Sequence, residues 1–183
     1  MQAAPLVVLL AIAVVASACG SSITAVRVGN STLDRDGVAD LVAEVTVRPA
    51  DGTIDAIATD HAPHASHAKE LPFDQAPPGM LGLETAFALT LGESGLDLPE
   101  VLALLSWKPA AIAGVADRHG APILPGNPAN LCVIDPDEVW KVSGAAMASR
   151  SCNTPYEGRH LRGRVRHTLR AGEPVVVDGE ARR

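Results

Sequence analysis

The sequence predicts an α/β protein, on three observations. A short run of small and β-branched residues, 53–59, has strand character and stops abruptly at Asp60 and His61. From Leu83 onward, apolar residues recur at helical spacing. After Gly120 the pattern changes to short apolar runs parted by turn residues, which read as further strands.

The first strand is followed at once by reactive side chains. Pro63 has no N–H and ends any ladder there. Asp60, His61 and His64 therefore stand just beyond a strand's carboxyl end, where parallel α/β folds gather ligands and catalytic groups. All three can bind a metal or move a proton. The same residues also suit a plain turn, with Asp60 as a loop carboxylate or helix cap and both histidines in solvent.

The bulk figures set the frame. A length of 183 residues allows one ordinary domain, and 47% apolar residues suit a globular core. A net charge of −6 with no long basic run argues against a nucleic-acid partner. Cys19, Cys132 and Cys152 are too few and too scattered for a disulfide framework or a zinc knuckle. Cys132 lies in an apolar run and reads as a small buried hydrophobe. Cys152 receives no role.

Residues 6–15 are nearly all apolar, and Ala16-Ser17-Ala18-Cys19 follows. That is the pattern of an exported lipoprotein signal, with Cys19 lipidated. No Lys or Arg precedes the run, however, and Pro5 interrupts its start. The other reading is a buried or disordered extension. The run falls short of the ~20 residues of a membrane span. Residues 21–50 are more polar and carry no motif; within them, 23–28 and 41–47 alternate as strands do.

Beyond His64, residues 65–76 are polar and irregular and read as a surface loop over the site. Pro77-Pro78-Gly79 stiffens its return; taken alone it is a helix-entry turn. Leu83, Ala86, Phe87, Thr90 and Leu91 form one face of a helix, ended by Gly92 and Gly95. Asp97 and Glu100 make a capping box for a second helix, with Val101, Leu102, Leu104 and Leu105 as its buried face. Lys108-Pro109 interrupts, and a third helix is expected over 110–115, with Trp107 in the core or a lid. Residues 129–134, 165–169 and 174–177 are expected strands, with Asp135-Pro136 ending the first. Ala171-Gly172 and Asp178-Gly179 are turns between strands. Residues 151–158 read as a loop in which Asn153, Thr154 and Tyr156 can serve as ligands or, the favoured reading, order the chain. His119, His160 and His167 are expected in solvent.

Thr59-Asp60-His61-Ala62-Pro63-His64 resembles the last active-site strand of dihydroorotases, a branch of the metal-dependent amidohydrolases. The resemblance continues through Pro77-Pro78-Gly79-Met80-Leu81-Gly82-Leu83-Glu84-Thr85, then Gly126-Asn127-Pro128-Ala129-Asn130-Leu131, then Ser151-Cys152-Asn153-Thr154-Pro155-Tyr156-Glu157-Gly158. It covers residues 51–183, leaving 1–20 signal-like and 21–50 unassigned. It implies a partial (β/α)8 amidohydrolase barrel, namely the last strand and trailing helices, plus part of a small β-sandwich.

Dihydroorotases reversibly close carbamoyl-aspartate into dihydroorotate in pyrimidine biosynthesis. The resemblance implies one or two zinc ions, which lower the pKa of bound water to about 7. It makes Asp60 both a zinc ligand and the general acid/base. It gives substrate contacts to His64, Pro78 and Gly79, a small-molecule substrate, and a cytoplasmic location. His61 fits the motif but receives no metal role.

Most of such a site is absent from the sequence. No His-x-His occurs, nor the arginine that follows it in the family. A whole barrel takes ~250 residues. The isolated chain is therefore expected to have little or no hydrolase activity. The rivals are an allantoinase or hydantoinase relative, a non-catalytic partner of aspartate carbamoyltransferase, and an exported lipoprotein. A homo-oligomer is a further expectation.

Overall fold

The computed structural model describes residues 6–8, 54–72 and 74–182. Cys19 and the expected strands at 23–28 and 41–47 lie outside them. Among the described residues, no helix is long and apolar enough to cross a membrane.

Residues 131–181 and a short strand near the start of the chain build an antiparallel sheet. Its strands are β1 (Leu6–Val8), β2 (Leu131–Lys141), β3 (His160–Arg170), β4 (Glu173–Val177) and β5 (Glu180–Ala181), in that spatial order. β2 and β3 are its spine, pairing from Leu131 opposite Leu169 to Lys141 opposite His160. β1 pairs with β2, Leu6 opposite Ile134. The two short turns fall where expected, since Arg170 pairs with Glu173 and Val177 with Glu180.

β2 does not stop at Asp135-Pro136. It runs on to Lys141 through a register shift between Asp135 and Val139. Pro136 has no N–H for the ladder, so the strand bulges. The Asp135 Oδ1 accepts the N–H groups of Asp137 and Glu138 at 2.9 and 3.0 Å, which covers the displaced backbone.

Among the described residues, four α-helices lie between β1 and β2: α1 (Ser66–Lys69), α2 (Ala86–Glu93), α3 (Leu98–Leu105) and α4 (Trp107–Ile112). α3 forms as its sequence dictates. Asp97 accepts the Glu100 N–H at 2.9 Å, and the Glu100 carboxylate accepts the Asp97 N–H at 3.2 Å. Val101, Leu102, Leu104 and Leu105 are buried.

α2 lies on β3, with Gly163 as the reason it can approach so closely. A Cβ there would meet Leu91 Cδ2 at 2.9 Å and Phe87 Cε1 at 3.0 Å. Two apolar clusters result. Phe87 joins Val101, Leu102, Leu105, Cys132 and Ile134, while Ala88 joins Leu81, Val142, Met147, Tyr156 and Leu161.

Several expectations are corrected. The described part of 53–59 is not a strand; beyond it lies only an isolated parallel bridge, His61 to Met80. A strand needs a partner ladder, and Ile57 instead donates to the Leu104 carbonyl at 3.0 Å. Residues 65–76 are not wholly irregular, because α1 lies within them. Leu83 is 52% exposed and precedes the helix whose face it was to share.

α4 runs through Lys108-Pro109 and ends at Ile112. Pro109 is its third residue, where an N–H has no acceptor within the helix. Trp107 is 41% exposed, so it is not in the core. His167 is not simply solvated, since its Nδ1 accepts the Asp178 N–H at 3.3 Å.

Candidate active site

The site is assembled from three segments: residues 59–64, the turn Pro77-Pro78-Gly79, and the loop at 151–158. Asp60 is the first element. It takes a φ of 45°, rare for a residue with a Cβ, and is exposed. This kink sits one residue before the bridge at His61.

The next residues are held from below. The Ala62 N–H donates to the Met80 carbonyl at 2.8 Å. The His61 ring is turned toward the protein, where its Nδ1 accepts the N–H groups of Gly82 and Leu83 at 3.1 and 3.3 Å. His61 therefore orders the backbone at residues 82 and 83.

His64 points across to the turn. Its Nε2 lies 2.9 Å from the Pro78 carbonyl oxygen. A carbonyl can only accept, so Nε2 carries the proton and, in the neutral ring, Nδ1 is left as an acceptor. Gly79 packs directly beneath this ring with a φ of 119°.

Three successive carbonyls of the turn are bound by side chains. Lys69 Nζ donates to Pro77 at 2.8 Å and to Gly79 at 3.0 Å. His64 takes Pro78, and Asn153 Nδ2 reaches Gly79 at 3.2 Å. Asn153 also bonds residues 62 and 64, so its loop-ordering role extends into the site. Lys69 was not singled out from the sequence. Its only signal was an amine five residues beyond His64, in a stretch that reads as plain surface loop.

The structure thus brings His64, Pro78 and Gly79 together; Asp60 is exposed four residues before His64. A cavity of about 230 Å³ opens beneath Thr59, lined also by Met80, Thr85, Thr90 and Tyr156. Burial raises the Tyr156 hydroxyl pKa above its ordinary value, so the group stays neutral.

No family model matches the chain. The curated relatives do match. The dihydroorotase of Mycobacterium tuberculosis is 47% identical over 137 residues, covering 73% of this chain and 32% of that protein. The dihydroorotase of Mycobacterium leprae is 50% identical over 135 residues, covering 72% and 31%. By sequence, this chain is a relative of the dihydroorotases. It spans about a third of the length of the curated relatives it matches.

A solved structure agrees. The D-hydantoinase, or dihydropyrimidinase, of a Thermus species matches with a TM-score of 0.65 at 28% identity, over 73% of this chain and 30% of that one. The dihydroorotase-like segment is thus α/β and shares its fold with part of that hydantoinase. Among its described residues, no three His, Cys, Asp or Glu side chains cluster as a metal site.

Proposed function

We propose that this chain carries one part of a dihydroorotase-type site, the proton-transfer carboxylate and one wall of the substrate pocket. The supporting observation is the convergence of His64, Pro78 and Gly79 on a segment that also carries the exposed, positive-φ Asp60. In this reading residues 54–62 stand for the last barrel strand, and β2 to β5 for part of the accompanying β-sandwich.

The roles follow from the atoms. Asp60, which is exposed, gives a proton to the leaving nitrogen when the cyclic amide opens and takes one back when it closes. With Nε2–H committed to Pro78, His64 offers Nδ1 to an N–H of the substrate ring. Pro77 and Pro78 lack N–H groups, so Gly79 is the first donor that the turn can present to a carbonyl or carboxylate. The substrate is dihydroorotate or carbamoyl-aspartate.

The residues described do not fit a zinc ion by themselves. A catalytic zinc takes about three protein ligands, and Asp60 supplies one carboxylate. No step is therefore drawn through a metal. We expect zinc-loaded chain to open dihydroorotate no faster than a metal-free control. Turnover well above that control overturns the incomplete-site reading.

The second reading is a non-catalytic partner of aspartate carbamoyltransferase, against which the retained Asp60 and His64 count. Co-purification of the two would support it, and a solitary chain would count against it.

A further inference from the structure

Asn153 lies 89 residues beyond His64 in the chain, yet its side chain joins both halves of the site. Its Oδ1 accepts the His64 backbone N–H at 3.1 Å. Its Nδ2 donates to the Ala62 carbonyl at 3.0 Å and to the Gly79 carbonyl at 3.2 Å. Its own carbonyl accepts the Leu81 N–H at 3.1 Å. Four bonds from one residue thus span the 62–64 segment and the 79–81 segment.

The side-chain work needs a carboxamide. An ionised Asp would keep the bond from His64 but turn a carboxylate oxygen toward two carbonyl oxygens. A serine hydroxyl is too short to serve both segments, and Ala serves neither.

We infer that Asn153 is a positioning residue, which holds the His64 ring in register with the Pro78 carbonyl and so keeps the substrate-facing wall pre-formed. A wall held by hydrogen bonds before substrate arrives need not be ordered on binding. The inference rests on the proposed function only for what the wall faces.

The test is NMR of the intact chain labelled with 15N on histidine and tryptophan. The His64 Nε2–H, held on the Pro78 carbonyl, should exchange slowly with water. Trp140 Nε1–H donates to the Gly163 carbonyl at 2.9 Å within the sheet and serves as the control. In Asn153→Asp, the His64 ring proton should exchange at least tenfold faster while the Trp140 proton stays within twofold of the parent.

Unchanged His64 exchange in both Asn153→Asp and Asn153→Ala overturns the inference. Parallel acceleration at Trp140 also overturns it, since Asn153 would then merely stabilise the fold. If Asn153→Asp fails to fold, Asn153→Ser is smaller and neutral and is read the same way. Dihydroorotate turnover by the zinc-loaded parent would sink the incomplete-site reading and leave this result untouched.

Discussion

Gly79 packs on Ala62 so closely that a Cβ on it would stand 2.5 Å from the Ala62 Cβ and 3.1 Å from His64 Nε2. The contact and the positive φ together exclude any side chain. Gly79→Ala should therefore destabilise the chain by about 1–3 kcal/mol. It should also push the turn off His64. Urea unfolding reads the first effect, and faster exchange of the His64 ring proton reads the second. A variant as stable as its parent would show that the turn is looser than described.

The conformation of Asp60 makes a separate prediction. A left-handed φ is tolerated by Asp and Asn, whose short polar side chains bond locally, and resisted by β-branched residues. Asp60→Asn should change stability by less than about 0.5 kcal/mol. Asp60→Val should cost about 1–2 kcal/mol although the position is exposed. Equal denaturation midpoints for the two variants would mean that this kink carries no strain.

The cysteines should differ sharply in reactivity. Cys132 is fully buried, and burial pushes its thiol up to about 11, only partly countered by contact with Thr168. Cys152 is exposed. In a Cys19→Ser background, a thiol reagent at pH 8 should modify Cys152 within minutes, and Cys132 only on unfolding. Mass spectrometry of native and urea-treated chain decides this. Rapid labelling of both in the native chain would contradict the placement of Cys132.

Glu138 should make stability depend on pH. Burial alone would raise its carboxyl pKa, but hydrogen bonds from Arg166 and Arg164, at 2.7 and 2.9 Å, outweigh that and hold it below its ordinary value. The folded pKa lies below the unfolded one. The stabilisation is thus present above the unfolded pKa and is lost as pH falls through the folded value. Glu138→Gln should lower Tm at pH 7 by roughly 3 °C, taking about 1 kcal/mol for the doubly bonded pair. The difference should shrink as the pH drops below 4.5. A gap that is constant with pH would point to packing rather than charge.

The local elements were legible because their determinants are neighbours in the chain. Asp97 and Glu100 are three residues apart, and each satisfies the other's backbone. The turns at Ala171-Gly172 and Asp178-Gly179 likewise need only their own residues. Where a distant partner decides, the sequence was silent or misleading. Nothing near Trp107 indicates that its face meets solvent. Nothing near Pro136 shows that β3 lies alongside and carries β2 past it.

The candidate site divides the same way. Sequence by itself supplied its candidates, because two short stretches that resemble dihydroorotases name Asp60, His64, Pro78 and Gly79. Only the tertiary structure decided their relations. His64 bonds a carbonyl 14 residues away, and the residue spanning both stretches comes from a loop 89 residues beyond His64. Local order can specify which groups are present, since covalent spacing is written in the chain. A hydrogen bond across so long a separation exists only once the intervening helices and sheet have packed and brought its two ends to within 3 Å or so.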